Sequence, residues 1–166
     1  TSDEVAKDNV SDDTFNEGVE DNASDDTSNE TVEILMSDEL YDFTFKLEGV
    51  VYKLPCKYED FTTNGWTISS TGYNSELKIP GNSYDSFYMS KDGRKIMVYS
   101  YNMSGNAKAI KDCKVGGIEC EAYNEVDFVI ANGITVKSSA EDIKTAFGVP
   151  GYSNSGSESE SMTYYA

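Results

Sequence analysis

The side chains with chemistry to offer in this sequence are three cysteines, two glutamates two positions apart, a string of tyrosines and a block of acids; histidine is absent. Without histidine, Ser-His-Asp and Cys-His nucleophile systems and His-based zinc sites are excluded. A carboxylate pair, a Ser-Lys pair or a lone thiolate remains. Glu119 and Glu121 share a face of a predicted strand, but a glycosidase pair normally comes from separate strands facing a sugar cleft, so the two read as a solvated face. No Ser-x-x-Lys stands where its lysine would be buried, and Cys56 has no base to activate it. The expectation is a non-enzymatic protein with no metal and no cofactor.

Cys113 and Cys120 bracket Lys114-Val115-Gly116-Gly117-Ile118-Glu119. If Gly116-Gly117 make a two-residue hairpin turn, the sulfurs face each other and a cross-strand disulfide is available. If the glycines instead form a bulge, the two are buried free thiols on one strand. Both readings stand. Cys56, after Pro55, reads as a small core residue.

Charge divides the chain. Residues 1–42 carry fifteen acids against Lys7, whereas residues 43–166 carry twelve basic and fifteen acidic side chains. The near-neutral second part has no Lys/Arg stripe, and the acidic first part repels phosphate, which excludes nucleic acid as a partner. Residues 8–17 (Asp-Asn-Val-Ser-Asp-Asp-Thr-Phe-Asn-Glu) recur imperfectly as residues 21–30 (Asp-Asn-Ala-Ser-Asp-Asp-Thr-Ser-Asn-Glu). Adjacent acid pairs, Asp12-Asp13 and Asp25-Asp26, lack the alternate spacing and central glycine of an EF-type calcium loop. Too little apolar surface is present to offset about 1–2 kcal/mol of backbone ordering per residue, so residues 1–40 are expected to form a disordered acidic tether, with residues 41–166 as one β-rich domain. Asn-x-Ser/Thr triplets begin at Asn9, Asn22, Asn29 and Asn102. No apolar run is long enough to span a bilayer. The start at Thr1 suggests a trimmed, mature form of an exported protein.

In the domain, Phe43 to Leu54 reads as a hairpin turning at Glu48-Gly49. Lys57 to Trp66 reads as a one- to two-turn helix stopped by Asn64-Gly65, with Tyr58, Phe61 and Trp66 on one face. From Ser83 to Tyr101, Asp92-Gly93 as a two-residue turn pairs Met89 with Ile96, Tyr88 with Met97, Phe87 with Val98 and Ser86 with Tyr99. Phe87, Met89, Ile96 and Val98 then face the core, while Tyr84, Tyr88, Met97, Tyr99 and Tyr101 gather on the opposite side. That side is either covered, as ordinary sheet aromatics, or an exposed docking face of large contact area. An exposed patch above about 400 Å² would favour docking. Sugars could also stack on these tyrosines or on Trp66. A further β-like stretch lies between Ile118 and Val129. Ser138 to Gly148 is a helix with Ser138 or Ser139 as N-cap and Ile143, Ala146 and Phe147 as its inner stripe. A loop over residues 151–161 leads to a last strand, Met162 to Tyr165.

Gly133-Ile134-Thr135-Val136-Lys137-Ser138-Ser139-Ala140-Glu141-Asp142-Ile143, followed by Ala146-Phe147-Gly148-Val149-Pro150, resembles the "G-I-x-x-G-S-x-x-x-D-V … Y-G-x-P" segment of small exported bacterial domains related to β-lactamase-inhibitor proteins and outer-membrane assembly lipoproteins. Lys137 stands where those domains carry a small residue. Phe43-Thr44-Phe45, Leu54-Pro55 and Asn64-Gly65-Trp66 look like the opening of uncharacterised lipoproteins of Gram-positive gut bacteria. The resemblance implies an extracellular α+β domain, anchored by a lipidated cysteine upstream of Thr1, with protein binding as the commonest role and no catalytic residues. The fold expected is a small antiparallel sheet with one or two short helices on one face, with two imperfect helix-plus-meander halves as a further arrangement. The function expected is a binding module for a protein, peptide or glycan; the alternative is a structural domain of an envelope assembly with no ligand of its own.

Overall fold

The computed structural model describes residues 34–155 and 160–164. The acidic repeat, and all of the expected tether before Ile34, lie outside the described residues. From Ser37 onward the chain is tied to the first strand and the turn before it: the Ser37 amide donates to Thr44 Oγ1 at 2.9 Å and the Ser37 hydroxyl to Asp42 Oδ2 at 2.6 Å.

β1 (Thr44–Leu47) and β2 (Val50–Lys53) form the predicted hairpin. Glu48 and Gly49 both have positive φ (49° and 81°), the primed turn whose twist suits a tight ribbon. A two-residue strand, β3 (Cys56–Lys57), leads into α1 (Tyr58–Thr63), where the Asp60 carboxylate accepts the Lys57 amide at 2.7 Å. Asn64 and Gly65, the latter at φ 87°, end the helix as its sequence requires, and Phe61 and Trp66 are fully buried. Burying side chains of this size contributes about 2–3 kcal/mol each. Phe128, Phe45, Tyr52 and Phe61 follow one another at ring separations of 5.6, 5.3 and 4.8 Å, an aromatic column joining the hairpin to α1.

Next come β4 (Thr67–Ile68), β5 (Lys78–Ile79), β6 (Ser83–Lys91), β7 (Arg94–Asn102), β8 (Lys108–Ala109), β9 (Lys114–Glu119) and β10 (Phe128–Ile130). The central sheet has five antiparallel strands in the order β3-β9-β7-β6-β4; β10-β1-β2 form a second sheet, and β5 pairs with β8. Asn102 ends β7 as a buried junction, its amide donating to the carbonyls of Ile79, Pro80 and Asn106 at 2.8–3.0 Å while its Oδ1 accepts from the amide and hydroxyl of Ser104. Of the β-like stretch between Ile118 and Val129, Ile118 and Glu119 end β9 and Phe128 and Val129 open β10, with a 3₁₀ turn at Ala122–Asn124 between them.

α2 (Ala140–Phe147) is capped by Ser139, whose Oγ accepts the Asp142 amide while Asp142 accepts the Ser139 amide at 2.8 Å. These bonds from Ser139 hold the Asp142 carboxyl below its ordinary range. The inner stripe Ile143, Ala146 and Phe147 is only half-buried. Part of the expected loop is instead β11 (Tyr152–Ser155), paired with β12 (Glu160–Thr163). With Tyr, Ser, Asn and Ser all exposed, β11 offers no apolar alternation by which a strand could be read. The molecule is thus a small α+β fold dominated by antiparallel sheet. No helix among the described residues is long and apolar enough to cross a membrane.

Candidate functional site

The β6–β7 ribbon pairs as its sequence predicts, Met89 with Ile96, Tyr88 with Met97, Phe87 with Val98 and Ser86 with Tyr99, around Asp92 and Gly93 at φ 49° and 81°. Opposed residues share a face. The inward set, Phe87, Met89, Ile96 and Val98, is at most 2% exposed. On the outward set Tyr84 and Tyr88 are 59% and 37% exposed, while Met97, Tyr99 and Tyr101 are half-buried. The rings of Tyr84 and Tyr101 stack, centroids 5.3 Å apart.

Glycines set how these rings lie. Gly117 opposes Tyr99, Val115 opposes Ser100, and the intervening Gly116 is the extra residue of a bulge. A Cβ on Gly116 would stand 2.9 Å from Cδ2 of Tyr101, and one on Gly117 3.4 Å from Tyr99 Cβ, so glycine lets both rings settle on the backbone of β9. The Tyr99 hydroxyl donates to Glu119 Oε2 at 2.8 Å, which raises the pH at which the phenol ionises.

The hairpin reading of the two glycines is therefore corrected. Gly116 and Gly117 lie inside one strand, so Cys113 and Cys120 sit just beyond its opposite ends, about 20 Å apart along extended backbone, where a disulfide tolerates about 7 Å between Cα atoms. Both are free, as is Cys56. Burial raises all three thiols, Cys56 and Cys120 to about 12, which keeps them protonated and poor nucleophiles. Trp66 is also corrected as a sugar-stacking residue, because it has no exposed surface. Glu119 is occupied by Tyr99, and Glu121 lies beyond the strand that was expected to carry both.

One row of the outward face runs across four strands: Tyr84, Tyr101, Lys114 and Lys57 are successive directly opposed partners. Beside it opens a cavity of about 430 Å³ lined by Phe43, Leu54, Pro55, Tyr101, Met103, Lys114 and Gly116. Phe43 and Met103 are 54% and 82% exposed. Phe43 also has φ 52°, a left-handed conformation that costs a bulky residue about 1–3 kcal/mol and accumulates at functional positions. Periodicity found the tyrosines. It could not find this cavity, whose walls come from the residue before β1, the β2–β3 connection, the end of β7 with the residue after it, and β9.

What this arrangement can do is hold an apolar group against aromatic and aliphatic walls with a cation at the rim. No family model, no curated protein and no solved structure matches the chain.

Proposed function

We propose that the chain is a non-enzymatic binding module of the cell exterior that takes a protein or peptide on the outward face of its five-stranded sheet. The observation that carries this reading is the stack of exposed Tyr84 on half-buried Tyr101 beside an apolar cavity. Tyrosine supplies contact area with few rotatable bonds, and solvent-facing aromatics of this kind are the usual anchors of interfaces. Anchoring through an N-terminal lipid, kinship with the exported lipoprotein domains, and a division into two helix-plus-meander halves (α1 with the central sheet, α2 with β11–β12) belong to the same proposal, on the resemblance of residues 43–66 and 133–150.

A structural role without a ligand is favoured by a different observation: Tyr99 and Tyr101 rest on glycines of their own sheet, and Tyr99 spends its hydroxyl on Glu119. Hydroxyl-radical footprinting of the full chain separates the two readings. Strong labelling of Tyr84, Tyr88, Tyr99 and Tyr101 in the free protein is the expected result. Protection of all four in the isolated monomer would remove the face as a docking surface and leave the structural role.

A further inference from the structure

Lys57 and Lys114 face each other directly across β3 and β9, both exposed, and like charges so placed oppose strand pairing. The nearby carboxylate of Asp60 is engaged by the Lys57 backbone amide at 2.7 Å and not by either ammonium. Among the described residues the ion pairs join Arg94 to Glu48 and Lys111 to Glu76, and neither Lys57 nor Lys114 has a carboxylate in salt-bridge contact. The placement runs against the composition, because acids outnumber basic residues thirty to thirteen and the net charge is −17. Two cations without a salt bridge thus stand side by side, Lys114 at the rim of a cavity whose walls are otherwise Phe43, Leu54, Pro55, Tyr101, Met103 and Gly116, and Lys57 directly opposite it on β3.

We infer that the cavity and the lysine pair together receive an acidic peptide segment, one apolar side chain entering the cavity and flanking carboxylates meeting Lys114 and Lys57. This rests on the binding-module reading and names the ligand class for it. Charge complementarity selects the acid: an arriving carboxylate relieves the Lys57–Lys114 repulsion and gains charge-assisted hydrogen bonds. The lining selects the apolar anchor, since a buried side chain ringed by near-neutral contacts is how interfaces concentrate affinity. It also disfavours a glycan, which needs several side-chain hydrogen-bonding groups among the walls where this cavity has the Lys114 ammonium and the Tyr101 hydroxyl. Phe43 fits the same account, because an exposed aromatic held in a costly backbone conformation makes a wall of the cavity.

The test is fluorescence anisotropy of the full chain with fluorescein-labelled pentapeptides Asp-Asp-X-Asp-Asp, X being Phe, Leu, Trp or Gly, alongside Ser-Ser-Phe-Ser-Ser and dextran sulfate. The apolar members should bind about tenfold more tightly than the Gly member and the Ser-flanked peptide, the scale of one good contact. Lys57→Gln with Lys114→Gln should cost a further factor of about ten, and the Lys57→Arg, Lys114→Arg pair should keep binding, since arginine preserves the charge. Phe43→Gly should lose affinity while its thermal unfolding shows the fold intact, because glycine relieves the positive φ. Equal binding of acidic and Ser-flanked peptides, unmoved by the glutamines, would overturn the acidic ligand and leave the binding module standing. Capture of dextran sulfate with every peptide silent would overturn it in favour of an anionic glycan. Silence of all probes together with a protected tyrosine face would end both readings.

Discussion

On the β6–β7 ribbon, Phe87 and Tyr88 are neighbours in the chain, yet one is 2% exposed and the other 37%; Val98 and Tyr99 differ in the same sense. Backbone, twist and pairing are common to both faces, so only the direction of Cβ separates a packing surface from a contact surface. The inward face is closed by aliphatic and aromatic side chains of the core, and its two buried polar members are treated differently. Asn102 is fully bonded, whereas Ser100 Oγ is buried without a partner. The outward face carries the Tyr99 and Tyr101 rings settled on glycine, beside two lysines whose ammonium groups make no salt bridge among the described residues. Stability should reside on one face and recognition on the other.

That division can be broken most severely from within. Phe87→Ala should destabilise the fold by about 3–5 kcal/mol in urea unfolding, by lost burial plus the cavity left behind. Alkali should act next most strongly. Burial raises Tyr52 and Cys56 to about 12 in the folded chain, so their contribution is complete below the ordinary thiol value and drains away as pH climbs towards about 12. The urea midpoint should fall steadily over that window, and a flat profile would mean these groups are not shielded. Asn102→Ala should cost about 1–3 kcal/mol, because three carbonyls lose their donor, and amide exchange should accelerate around residues 79–82 and 104–106 before it does elsewhere. Gly116→Ala should cost only about 1 kcal/mol through a displaced Tyr101 ring, and radical labelling of Tyr101 should rise. Tyr84→Ala should move stability by no more than about 0.5 kcal/mol while removing peptide affinity. A large stability loss there would merge the two faces and count for the structural role.

The ribbon could be read pair by pair because its information is local: an Asp-Gly turn fixes the register and a period of two fixes the faces. The first hairpin and both helices are legible for the same reason, each carrying its own stop signal. Gly116-Gly117 is ambiguous in principle. A glycine pair serves equally where the chain turns and where a side chain must approach the backbone, and only the Tyr99 and Tyr101 rings, contributed from β7, decide between them. β10 joins β1 across about eighty residues without any local mark, and β11 is a strand of exposed Tyr, Ser and Asn. The cavity combines Phe43, Pro55, Met103 and Lys114, none of which is unusual among its sequence neighbours.

Asn102 begins an Asn-Met-Ser triplet, and its place in the fold bears on how this protein can be made. In a eukaryotic production host, sugar transfer would compete with folding for the same amide nitrogen. Once β7 is in place that nitrogen is committed to three carbonyls and the residue is 1% exposed, so modification is open only to chains that have not yet folded. A glycan there would hold the 79–82 and 102–106 connections apart. The mass of the peptide containing Asn102 therefore doubles as a record of biosynthetic timing: material that folded first should carry the bare asparagine, and a glycosylated fraction should elute as expanded, protease-sensitive chains.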